Sequence, residues 1–193
     1  LQKNNIYLFS DEMYRYLQHK GNDNLPPACD LYENAISFWG TAKTFGLAGL
    51  RLGWLCSKNT DILKKIESFK DYLSLCSSAP SEVLTTIALN NHNYFCEINI
   101  HKINKNIELF KKFHENHGDK FDFFYPDAGS TSFIRLKLED TALEFSQRLV
   151  KDTNIMLLPS ETFEYGSHHA RIGFGRRNFQ QALDILDKYL KFN

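Results

Sequence analysis

Net charge is missing from this sequence: 23 lysines and arginines stand against 23 aspartates and glutamates in 193 residues. Without a basic excess there is no electrostatic footprint for nucleic acid or for an anionic membrane surface. Long apolar runs are missing too. None approaches the ~20 residues that cross a bilayer, and no charged stretch leads into an apolar one in the manner of a secretory leader. Cysteine is scarce and scattered. Cys29, Cys56, Cys76 and Cys96 form no Cys-x-x-Cys, and they read as buried thiols of a reducing cytoplasm rather than metal ligands or a disulfide frame. His114 and His117 share one helical face, but a zinc site needs further ligands that the neighbouring sequence does not offer. Internal repeats and low-complexity segments are absent as well.

What is present is enough apolar sequence, 42 % of residues, for one domain or two small ones. Ile6 to Phe9 is too short for a helix and reads as a buried strand, followed by a helical stretch through Leu17. Gly21 to Asp30 is a polar, proline-containing loop. Strands are expected at Ala35 to Trp39 and Arg51 to Cys56, and a helix at Asp61 to Leu73. A longer helical region runs from Pro80 to about His117 with a break near Asn90 to Asn93, and its stripe of Ile100, Ile103, Ile107 and Phe110 is core packing. Beyond it, strands are expected at 121–125, 132–138, 155–158 and 171–175, with helices at 141–151 and 179–190.

The most informative stretch is Gly40-Thr41-Ala42-Lys43-Thr44-Phe45-Gly46-Leu47-Ala48-Gly49-Leu50-Arg51-Leu52-Gly53. It sets one lysine among small residues with an arginine further along. An amine forms imines with aldehydes, and a guanidinium fork suits a phosphate. Pyridoxal 5'-phosphate (PLP) carries both groups. Upstream, a strand ends in Ser10-Asp11-Glu12-Met13-Tyr14. Downstream, His169-Ala170-Arg171-Ile172-Gly173 places an arginine at the opening of a strand, after Leu157-Leu158-Pro159-Ser160-Glu161-Thr162-Phe163.

Together these stretches resemble the lysine signature, the Asp-Glu-x-Tyr element and the late arginine of the class I/II aminotransferases, PLP enzymes of fold type I. The resemblance implies an α/β fold: part of the large-domain mixed sheet, within residues 1–95, plus the small C-terminal α/β domain, residues 96–193. It implies that Lys43 carries PLP as a Schiff base and works as general base and acid. Asp11 would pair with the pyridine nitrogen, Tyr14 with the phenolic oxygen and Arg51 with the phosphate. Arg171 would grip the substrate's α-carboxylate. Ser78, in Ser78-Ala79-Pro80-Ser81, falls where relatives reach the cofactor phosphate of a partner subunit in a homodimer, and it reads equally as a helix start. One departure stands out. Many relatives carry a serine three residues before the lysine as a phosphate ligand, and this chain has Gly40, with Thr41 as the candidate substitute.

The resemblance spans the whole chain but only the C-terminal half of the family's pattern, so the sequence is expected to be a fragment of a cytoplasmic bacterial enzyme. The expected reaction moves an amino group between an amino acid and a 2-keto acid. The same residues serve a PLP-dependent lyase or cyclase, such as the capreomycidine synthase-like branch. A non-catalytic effector module of a regulator is the alternative from another class.

Overall fold

Local pattern and tertiary pairing meet first at Leu8–Asp11, the opening strand β1 of the computed structural model, which describes residues 1–19 and 25–192. The expected loop at Gly21 to Asp30 lies in part outside the described residues. Its described end forms a single helical turn, α1 (Ala28–Leu31). The chain divides into two compact units, Leu1–Asn99 and Ile100–Asn193.

The first unit is built on a sheet of order β1-β2-β3, with β2 at Ala35–Gly40 and β3 at Gly53–Cys56. β1 runs parallel to β2, and β3 runs antiparallel to it. Alternation along β2 places Ile36 and Phe38 on the face shared with Phe9 and Asp11, and Ser37 and Trp39 on the other. Helices α2 (Thr60–Leu73) and α3 (Ala79–Asn90) follow, then α4 (His92–Asn116), within which the division between the units falls. Asn59 caps α2 by accepting from the Ile62 N–H at 3.1 Å.

The expected helix after Asp11 is absent. Residues 13–16 are turns, and Tyr16 sits at φ 64°. The physical reason lies outside the local sequence: the buried Thr44 hydroxyl donates to the Arg15 carbonyl at 2.6 Å, occupying an acceptor that a helix would use internally. The thiols are also corrected. Cys29 and Cys96 are buried as expected, whereas Cys56 and Cys76 are exposed.

The second unit carries an antiparallel sheet of order β4-β5-β7-β6, with β4 at Phe121–Asp122, β5 at Thr131–Leu136, β6 at Leu158–Pro159 and β7 at His169–Gly173. Ile134, Leu136, Ala170 and Ile172 are buried on one face. With α5 (Ala142–Thr153), α6 (Phe179–Phe192) and the stripe Ile103, Ile107 and Phe110 of α4 they supply the core. A capping box starts α5: Thr141 accepts from the Glu144 N–H, and Glu144 accepts from the Thr141 N–H. His117 meets Asp187 of α6 at 2.8 Å, and His114 meets the Phe121 carbonyl at 3.0 Å, so both imidazoles serve packing.

Several strands are shorter or shifted. β6 starts three residues later than periodicity suggests because Asn154 turns left-handed at φ 60° and the Ile155 N–H is held by the Thr153 hydroxyl. β7 ends at Gly173 because the buried Asn106 amide takes the Phe174 and Arg176 carbonyls at 2.7 and 2.8 Å. The Asn106 bonds are tertiary and leave no periodic trace.

Candidate active site

Asp11 closes β1 on an exposed sheet end, where its carboxylate accepts the Met13 N–H at 3.0 Å. This local turn orients the side chain. Tyr14 follows in the same turn and is 39 % exposed. Glu12 points the other way. Its oxygens accept from the Ala28 N–H at 2.9 Å, the Ser37 hydroxyl at 2.7 Å and Arg15 at 3.2 Å. Burial opposes its ionisation, but these donors prevail and hold its carboxyl below the usual range.

The loop after β2 brings Lys43 to this turn. Its ammonium stands 5.7 Å from the centre of the Tyr14 ring, and the side chain is exposed. Thr44, next in sequence, is fully buried and fastens the loop. Its hydroxyl donates to the Arg15 carbonyl, and its own carbonyl accepts from the Asn99 amide at 3.0 Å. Glycine is required at Gly46, where φ is 67° and Asn99 lies 3.1 Å from a built Cβ.

Arg51 ends a short 3-10 turn in the left-handed region, at φ 54°, with its guanidinium 3.3 Å from the Ala48 carbonyl. It borders a cavity of about 600 Å³, lined also by Met13, Phe38, Ala42, Leu63 and Ile66. Lys43 and Asp11 do not line that cavity. Gly40 is packed too tightly for any side chain: a Cβ would lie 2.9 Å from the Leu52 carbonyl oxygen and 3.0 Å from Gly53 Cα. Thr41 does not replace the missing serine. It is fully buried, and its hydroxyl is spent on the Leu47 and Leu52 carbonyls at 3.3 and 3.1 Å.

The structure thus gathers Asp11, Tyr14, Lys43 and Arg51 on the end of one sheet and its following loop. Ser78 is not tied to them by any described hydrogen bond. It is exposed at the N-cap position of α3, and its side chain makes no capping bond. Arg171 belongs to the second unit, on β7, where its guanidinium lies 5.3 Å over the Phe163 ring. Sequence reasoning overlooked Glu12, Ser37, Thr44 and Asn99. Only Glu12 and Thr44 carried a signal, as polar neighbours of Asp11 and Lys43.

The profile of the family "Aminotransferase class I and II" matches residues 1–186. The chain belongs to the class I and II aminotransferase family. Among the relatives of this chain, aromatic-amino-acid aminotransferase 2 of Thermococcus litoralis is 22 % identical over 197 residues, covering 98 % of this chain and 50 % of that protein. Capreomycidine synthase of Streptomyces vinaceus is 25 % identical over 185 residues, covering 95 % of this chain and 47 % of that protein. A PLP-dependent aminotransferase structure from Streptococcus suis superposes with a TM-score of 0.87 at 24 % identity, over 99 % of this chain and 50 % of that one. The fold is therefore that of the fold type I PLP enzymes, and the chain spans about half the length of the relatives it matches.

The cofactor this aminotransferase family implies is pyridoxal 5'-phosphate. The donor set fits it: an exposed primary amine beside a phenol, a carboxylate at a strand end and a guanidinium on the same loop. Among the described residues no helix is long and apolar enough to cross a membrane.

Proposed function

We propose that this chain is part of an aminotransferase that moves an amino group between an amino acid and a 2-keto acid, with Lys43 Nζ as the covalent attachment point of the cofactor. The observation that carries this reading is Lys43 standing 5.7 Å from the Tyr14 ring, beside the strand end that presents Asp11. When bound, PLP supplies an electron sink for negative charge at the substrate's α-carbon.

The residues divide the remaining work. Asp11 would keep the pyridine nitrogen protonated, since a nearby carboxylate stabilises the charged form. Tyr14 would donate to the phenolic oxygen, and Arg51 would pair with the phosphate as a planar fork. Ser78 would reach the phosphate of the partner subunit in a homodimer. Lys43 would be the base that receives the α-proton. Arg171 would hold the α-carboxylate. The cysteines fit a cytoplasmic setting, since all are free and two are exposed.

A second reading, cyclisation by the same residues, is favoured by the likeness to capreomycidine synthase. Product analysis separates the two, because transamination yields a keto acid and a new amino acid, whereas cyclisation yields one ring-closed product.

The test of the Lys43 role is borohydride reduction of the PLP-loaded, full-length protein, followed by peptide mass mapping. The cofactor mass is expected on the peptide containing Lys43 and absent from a Lys43→Arg variant. Bound PLP with the mass on another lysine, or on none, contradicts the reading.

A further inference from the structure

Two of the free cysteines, Cys29 and Cys56, converge on one hydroxyl. Ser37 of β2 accepts the Cys29 N–H at 3.0 Å, and across the antiparallel pair it stands directly opposite Cys56 of β3. Residues so paired project to the same side of a sheet, with Cβ atoms about 4.5–5.5 Å apart. Because the Ser37 side chain reaches the Cys29 N–H, α1 lies over that side, and both cysteines neighbour the same side chain.

A second tether runs beside the first. Lys58, two residues beyond Cys56, donates to the carbonyl of Asp30, the residue after Cys29, at 2.8 Å. The Cys29 sulfur itself lies 4.0 Å from Asp30 Oδ1. The thiols also sense each other: burial first, then the charges of Cys29, Glu12 and Asp30, push the Cys56 thiol up. Cys29 is buried and Cys56 is exposed, so a reagent in solution meets Cys56 first. Among the described residues β3 is an edge strand, paired with β2 alone. A strand held by one ladder gives most easily, and only a small movement separates neighbouring thiols from a bond of about 2 Å.

We infer that Cys29 and Cys56 form a reversible dithiol–disulfide couple, with Cys56 as the entry thiol and Cys29 as the resolving thiol, oxidised by low-molecular-weight disulfides. The Cys56 thiolate attacks one sulfur of the small disulfide; a mixed disulfide forms and one small thiolate leaves. The Cys29 thiolate then attacks the Cys56 sulfur, the Cys29–Cys56 bond forms, and the second small thiolate leaves. Two protein thiols are oxidised, the small disulfide is reduced to two thiols, and those thiols take up the two protons. The pair stays open in a reducing compartment and closes when small disulfides accumulate. Closure joins the end of β3 covalently to α1, whose Ala28 N–H is held by Glu12, the neighbour of Asp11. The couple involves neither Lys43 nor a cofactor.

The test incubates the reduced, full-length protein with oxidised glutathione, blocks the remaining thiols with N-ethylmaleimide, and maps peptides without reductant. A linked Cys29–Cys56 peptide is expected, lacking two hydrogens relative to the reduced pair and reopened by dithiothreitol. It should exceed any other cysteine pairing at least about tenfold, because neighbouring thiols react at high effective concentration. Cys76, also exposed, should stop at the mixed disulfide with glutathione. In Cys29→Ala, Cys56 should accumulate glutathione instead of passing it on. In Cys56→Ser, at an exposed position, Cys29 should stay unmodified in the folded protein. Bridge formation should quicken as pH rises from about 7 to 9, since the thiolate is the attacking species. An unmodified Cys56, a Cys56 left as the mixed disulfide in the unaltered protein, or a bridge to a different cysteine overturns the inference. So does a bridge that forms only after denaturant is added.

Discussion

Thr44 shows how a single residue ties two loops. Lys43 and Tyr14 are brought together by their neighbour's hydroxyl, which donates to the Arg15 carbonyl at 2.6 Å and lies 3.5 Å from the Trp39 indole nitrogen. Replacing Thr44 by valine keeps the shape but leaves a buried carbonyl without its donor. The expected loss is about 1–3 kcal/mol, and Thr44→Ser should recover most of it. Urea unfolding midpoints of the three proteins check this. Equal midpoints for the unaltered chain and the Thr44→Val variant would show that the bond contributes nothing net. At this scale the chemistry-bearing types were legible, because a lysine among small residues and an acid at a strand end are local patterns. Their partners were not. Glu12 joins Ala28 and Ser37, and Thr44 joins Arg15 and Asn99, across sequence separations that no spacing rule reveals.

At the scale of elements, the long helices were readable from period and caps, and α5 announces itself through the capping box of Thr141 and Glu144. The strands were less so. A strand of four residues carries two or three side chains per face, too few for periodicity to outweigh one competing bond. The meeting of β2 and β3 supplies an element-scale prediction. Gly40 stands where many relatives carry serine, yet the approach of Leu52 and Gly53 leaves no room for a Cβ. Gly40→Ser should therefore destabilise the chain by roughly 1–3 kcal/mol rather than restore a phosphate ligand. A thermal melt at or above that of the unaltered chain would show that β3 yields without cost.

For the whole molecule, acid is the condition to which stability should respond most plainly. Burial works against ionised Glu12, but its backbone and hydroxyl donors prevail. Asp122 is held down by its hydrogen bond from Lys137, Asp140 by Arg148, Glu144 by the Thr141 N–H, and Asp187 by Lys191 and His117. Each carboxyl lies below its ordinary value in the folded chain, so each contributes stability above about pH 4–5 and loses it as pH falls through the folded value. The urea midpoint should be nearly insensitive to these groups between about pH 5 and 7 and drop progressively below that. Added salt should weaken the part due to the exposed pairs. A midpoint unchanged between about pH 6 and pH 3 would contradict the assignment.

The sequence by itself determined the family and the cofactor it implies. Those depend on a contiguous run from Gly40 to Gly53 and on strand-end residues whose meaning is local. Composition determined the balanced net charge. Tertiary structure alone decided that the Asp11 turn is not a helix, that Thr41 is buried and committed to backbone carbonyls, and that Gly40 admits no side chain. It alone brought Cys29 and Cys56 to the two sides of Ser37. The reason is physical. A backbone carbonyl or a ring face accepts whichever partner the fold delivers, and strand register, which sets that partner, is a property of two segments that neither carries alone.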